Sequence, residues 1–138
     1  MVNYINMTTK EETNKKLRDY RLRTNNAATK KYEKTKRGFL VRCYRNMKSR
    51  VSGVQKEKFN LYQGKSLLDK ETFYEWSLNN NDFNLLFLYW EIYGYKRKLT
   101  PSVDRVDSSL GYELCNMEWV THSENSRRGS VSRWKNKN

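Results

Sequence analysis

Cysteine is scarce in this chain, and the two it has, Cys43 and Cys115, lie far apart and form no Cys-x-x-Cys pair. That excludes a zinc knuckle and a disulfide framework, and leaves two buried, reduced thiols as the expectation. Long apolar runs are also missing. None approaches the ~20 residues needed to cross a bilayer, so no membrane partner is expected. The start, Met1-Val2-Asn3-Tyr4-Ile5-Asn6, is polar and leads into Lys10-Glu11-Glu12 rather than an apolar segment. It does not resemble a signal peptide, and a cytoplasmic location is expected. Negative charge is short as well, with 15 Asp and Glu against 28 Lys and Arg, a net +13 over 138 residues. Such a chain is attracted to polyanions and is long enough for one domain, or a small domain with an arm.

The charge is uneven. The first fifty residues carry 15 Lys and Arg against four acids, and the remainder 13 against 11. Residues 1–36 are rich in Asn, Thr, Lys and Arg and poor in aliphatics, so they bury little surface by themselves. They read as a basic, flexible arm, a DNA-contacting extension that neutralises phosphates, with a solubilising tail or an ordinary amphipathic helix as the alternatives. Residues 37–138 form the expected domain. Its first helix places Leu40, Cys43, Tyr44, Met47 and Val51 at helical spacing, with Arg37, Arg42, Arg45, Lys48 and Arg50 as candidate phosphate contacts. From Val51 to Leu68 the pattern predicts loops, with one extended piece near Phe59-Asn60-Leu61-Tyr62.

Asp69 is a candidate N-cap for a helix carrying Phe73, Trp76 and Leu78. A second helix starts near Asn81-Asp82 and presents Leu85, Leu86, Leu88, Tyr89, Ile92 and Tyr93. It is apolar on nearly all sides, ends near Gly94, and is expected to be the core helix. Further on, Lys98–Val103 reads as a strand, Asp107–Gly111 as a turn, and Met117–Val120 as a second strand. Thr121-His122-Ser123-Glu124 has capping-box spacing, so a helix is expected from Thr121, carrying Asn125 and Arg128 in its first turns. The fold class is therefore α+β, with a helical basic N-terminal part followed by a strand, loop, strand, helix unit. Asp104 at the end of the first strand and Asn125 on the helix could converge on one divalent cation. Oxygen ligands of this kind suit Mg²⁺ or Mn²⁺ better than zinc.

Across Leu99 to Gly129 the segments Thr100-Pro101-Ser102-Val103-Asp104-Arg105-Val106-Asp107-Ser108-Ser109, Gly111-Tyr112, Asn116, Glu118-Trp119-Val120-Thr121 and Ser123-Glu124-Asn125 resemble the Asp-Arg branch of the HNH (ββα-metal, His-Me finger) nucleases. The resemblance is in particular to the small homing endonucleases of bacteriophages. The resemblance implies a ββα-metal core at about 99–129, a basic tail at 130–138, and one metal held by Asp104 and Asn125. It further implies that Asn116 bonds across the loop and that double-stranded DNA is nicked or cut, by a monomer or a homodimer. Most of the family has a water-activating His after the first ligand, where this chain has Arg105, and arginine is a poor general base. Three alternatives stay open. Arg105 binds the phosphate while another group activates water; the lone His122, three residues before Asn125, serves as the base; or the site is impaired, leaving a DNA-binding accessory protein. Asp107 is a weaker candidate for positioning metal or water. Arg127 and Arg128, with the tail beyond them, are placed to follow the DNA backbone.

Overall fold

The structure, a computed structural model, describes the backbone of residues 9–137 and the side chains of residues 9–131. It is α+β. Seven α-helices and a two-stranded antiparallel sheet are formed among the described residues: α1 Lys10–Arg23, α2 Ala27–Glu33, α3 Lys36–Ser52, α4 Phe59–Tyr62, α5 Lys70–Leu78, α6 Asn81–Ile92, β1 Pro101–Arg105, β2 Met117–Thr121 and α7 His122–Lys137. Met1 to Thr8 of the expected arm lie outside the described residues. Residues 130–137 of the expected basic tail continue α7, and Asn138 lies outside the described residues.

Local chemistry sets most helix starts. Asp69 accepts from the Thr72 N–H at 3.1 Å, Asn80 from the Phe83 N–H at 2.9 Å, and Thr121 from the Glu124 N–H at 3.1 Å. Each satisfies a donor that the first helical turn leaves unpaired. The Asp69 carboxyl is held below the ordinary range by the Thr72 hydroxyl and N–H. At the far end of α3, Gly53 takes a left-handed φ of 84° and closes the helix.

The core is mostly aromatic. Phe39 and Leu40 of α3, Phe73 of α5, Phe83, Phe87 and Trp90 of α6, and Trp119 of β2 are buried together. The Trp119 ring lies 4.6 Å from Phe83, 6.0 Å from Phe73 and 6.3 Å from Phe39, which ties the hairpin to three helices. This corrects the reading of α6. The buried stripe is Phe83, Phe87 and Trp90, at helical spacing, while Leu85, Leu88, Tyr89, Ile92 and Tyr93 are exposed. Hydrophobicity on all sides marked the helix but not its inward face.

Other readings change as well. Phe59–Tyr62 is a helical turn rather than an extended piece. The segment after it is held by non-local contacts: Leu67 bridges Tyr112, the Tyr112 N–H donates to the Ser66 carbonyl at 2.8 Å, and the Tyr62 and Tyr112 rings stack. The N-terminal stretch is also helical in its described part. In α1 no residue is buried, but α2 packs on α3 so closely that a Cβ on Gly38 would stand 2.0 Å from the Tyr32 carbonyl oxygen. Residues 27–36 thus belong with the folded part. No helix among the described residues is long and apolar enough to cross a membrane. Of the two thiols, Cys115 is exposed rather than buried, and Cys43 is partly buried with its pKa pushed up to about 12 by desolvation.

Candidate functional site

The hairpin gives the site its two faces. Residues of β1 and β2 pair in the register Pro101 with Thr121, Ser102 with Val120, Val103 with Trp119, Asp104 with Glu118 and Arg105 with Met117. Alternation along a strand sends neighbours to opposite faces. Val103, Met117 and Trp119 face the aromatic core, whereas Ser102, Asp104, Glu118 and Val120 share the other face. Helix α7 lies on that second face, because its side chains bond these residues directly.

Asn125 donates its Nδ2 to Ser102 Oγ at 2.9 Å, leaving its carbonyl oxygen as an available ligand beside Asp104's strand. Arg128 donates Nη1 to Asp104 Oδ2 at 2.9 Å and also to Glu118 Oε1, while its Nε meets Glu124 Oε1 at 3.0 Å. Glu124 further accepts two bonds from Arg127, at 2.9 and 2.6 Å. Three carboxylates therefore meet one guanidinium. The bonds from Arg127, and then from Arg128, draw the Glu124 carboxyl down to about 2, and those to Asp104, Glu118 and Glu124 push the Arg128 pKa up. The structure thus brings Asp104 and Asn125 to one face of the hairpin, with a cation already on Asp104.

Asn116 is at the centre of the loop between the strands. It is 3% exposed. Its Oδ1 accepts from the Asp107 N–H at 2.8 Å, and its Nδ2 donates to the carbonyls of Asp107 at 3.0 Å and Gly111 at 2.9 Å. Every hydrogen-bonding direction of the carboxamide used here points into the loop, which makes Asn116 a loop-shaping residue without access to a metal. Asp107 is exposed. Its carboxylate accepts from the Ser109 hydroxyl at 2.6 Å and N–H at 2.9 Å, which lower its pKa. Both bonds fall on Oδ1 and stabilise a turn.

Arg105 departs furthest from expectation. It follows Asp104 and so leaves the strand on the opposite side. Its Nη1 donates to the carbonyls of Ser108 and Leu110, both at 3.1 Å, and its guanidinium lies 4.4 Å from the centre of the Tyr62 ring. Lys65 adds a second cation to the Ser108 carbonyl at 2.7 Å. Arg105 therefore pins the loop to the α4 segment, and neither phosphate binding nor proton transfer next to Asp104 follows from where it sits.

His122 opens α7, with its N–H donating to the Thr100 carbonyl at 2.8 Å. It is partly buried, and its imidazole makes no hydrogen bond among the described residues. The candidate DNA contacts divide. Lys48 is exposed with no acidic partner among the described residues. Arg42 and Arg45 share one carboxylate, Glu33, at 3.2 and 3.8 Å, so that cluster keeps a positive excess. Arg37 lies over the Tyr74 ring at 4.4 Å, with Glu71 at 3.9 Å. Arg50 is partly buried and donates to the Tyr112 hydroxyl at 3.4 Å, which is structural company rather than a free phosphate contact. Arg127 and Arg128 are both engaged by Glu124. What sequence reasoning missed is the guanidinium on Asp104 and the role of Glu118. Strand alternation alone would have placed Glu118 across from Asp104.

Among the described residues, no three His, Cys, Asp or Glu side chains are grouped to hold a metal ion. The donor set on this face is one aspartate oxygen and one carboxamide oxygen, with Glu118 alongside. That suits a hard ion such as Mg²⁺, which keeps several waters and takes few protein ligands. It does not suit zinc. Comparison of the chain with protein-family models, curated proteins and solved structures finds no match in any of the three.

Proposed function

We propose that this chain is a metal-dependent DNA endonuclease of the HNH (ββα-metal) kind, in which Asp104 and Asn125 hold one Mg²⁺ or Mn²⁺. The observation that carries the reading is their convergence. Asn125, in the first turns of α7, donates to Ser102 two residues before Asp104, and Arg128 of the same helix bonds the Asp104 carboxylate, so both candidate ligands reach the face of the hairpin that α7 covers, above a loop organised by Asn116. When bound, the ion would polarise the scissile phosphate and stabilise charge on the leaving 3′ oxygen. The chain's own residues do the rest. Ser102 orients the Asn125 carboxamide, Asn116 and Arg105 fix the loop that follows Asp104, and His122 is the proton acceptor left near Asn125, an imidazole being the commonest general base. Exposed cations on α1 to α3, Lys48 and the Arg42–Arg45 cluster among them, would draw double-stranded DNA to the protein. In this reading the chain is a phage mobile-element or homing enzyme acting as a monomer or homodimer.

A second reading is favoured by one observation, the Arg128 guanidinium seated on Asp104. A chain that keeps that pair would bind DNA without cleaving it. Incubation with supercoiled plasmid and phage DNA in Mg²⁺, in Mn²⁺ and in EDTA separates the two. The nuclease converts supercoiled DNA to open-circle or linear forms only with metal. Binding without conversion on DNA of several origins supports the second reading, and equal conversion in EDTA contradicts the role given to Asp104 and Asn125.

A further inference from the structure

Arg128 makes three bonds of two kinds. Those to Asp104 and Glu118 cross from α7 to the hairpin, whereas that to Glu124 stays within the helix at i,i+4 spacing. Its guanidinium therefore has a second resting place, since rotation about its own side chain can give up the hairpin and keep Glu124. The hairpin pairs are only partly buried, with Arg128 38% and Asp104 20% exposed, and ion pairs of that kind contribute little net stability. A divalent ion brings twice the charge to the same carboxylate. Once released, a planar guanidinium beside the site is well shaped for two oxygens of a phosphate.

We propose that Arg128 is a resident competitor for the cation: it neutralises Asp104 in the metal-free chain, is displaced when the ion binds, and then meets the DNA phosphate. The inference rests on the metal reading of Asp104 and Asn125. It makes Arg128 a positioning residue whose replacement tightens metal binding while weakening the engagement of DNA, a pair of opposite changes that a purely structural residue would not produce.

Calorimetry with Mn²⁺ alone tests it on the wild type, Arg128→Gln, Asp104→Ala and the double variant, with circular dichroism recording the fold. Arg128→Gln is expected to bind Mn²⁺ about two- to fivefold more tightly than the wild type, because the ion no longer has to displace a pair of that modest strength. The gain should vanish when Asp104 is also replaced. Affinity unchanged or weakened in Arg128→Gln, with binding still abolished by Asp104→Ala, overturns the competitor role and leaves the metal reading intact. Binding that is absent from both wild type and Arg128→Gln, or indifferent to Asp104, overturns both. A readout on the unaltered chain keeps the question open to refutation if Arg128→Gln fails to fold. The Arg128 Nε–H resonance should shift on Mg²⁺ addition in step with the Asp104 carboxyl carbon. A carboxyl that moves while Arg128 stays fixed contradicts displacement.

Discussion

Replacing Asn116 by Ala removes three side-chain hydrogen bonds of 2.8, 3.0 and 2.9 Å from a residue that is 3% exposed. Each such bond contributes about 1 kcal/mol net, and a buried partner left unpaired costs a further share, so a loss of about 3 kcal/mol is expected. That is a large part of the 5–15 kcal/mol that holds a typical domain together, and corresponds to a fall of roughly 10 °C in melting temperature. The comparison is Ser109→Ala, which removes one exposed hydroxyl bond to Asp107 and should cost about 0.5 kcal/mol or less. Urea denaturation followed by tryptophan fluorescence reads both, because Trp119 is a buried residue of the hairpin itself. A loss below about 1 kcal/mol for Asn116→Ala, or equal losses for the two variants, would refute the assignment of the carboxamide as the loop's organiser.

Gly38→Ala should destabilise by about 2–4 kcal/mol, since the added carbon meets the Tyr32 backbone; a mobile arm before α3 would instead leave the change neutral or slightly stabilising in the same denaturation assay. Lys48→Ala should lower the slope of log K against log salt for DNA binding by about 1, whereas Arg50→Ala should reduce stability with a smaller effect on the slope. Acid should weaken the fold in a defined window. Asp69, Asp107 and Glu124 all titrate below their ordinary values when folded, Glu124 at about 2, so the stability they add is fully present above about pH 4.5 and is lost as the pH falls toward 2. Melting temperatures across pH 7 to 2 check this, and a rise on acidification would contradict it.

The parts of the fold written in short-range chemistry were legible in the sequence. Asp69 and Thr121 cap the helices that follow them, and Gly94 marks the end of α6, all within a few residues of the event. The α4 segment was not legible because its order comes from docking on a loop more than forty positions away, through Ser66, Leu67 and Tyr112. The inward face of α6 was hidden for another reason. With aliphatic and aromatic residues on every side, only the packing against Trp119 and Phe39 selects Phe83, Phe87 and Trp90. In the site, the order strand, loop, strand, helix was sufficient to expect Asp104 and Asn125 on one side of the unit, whereas the part of Asn116 in the loop came from the family resemblance. Strand alternation separates Arg105 from Asp104, and Arg128 reaches back across 24 positions to the same acid, a tertiary pairing that no local pattern encodes.

The central claim is that the chemistry lies between β1 and α7, on Asp104. The most direct measurement is the rate of supercoiled-plasmid conversion in Mg²⁺ by wild type and Asp104→Ala, with DNA affinity measured on the same preparations. The account predicts a loss of about 10²-fold or more in rate, as expected for removal of a group that holds the catalytic charge, with affinity changed little because the basic helices supply it. An Asp104→Ala protein that converts plasmid at the wild-type rate would contradict it.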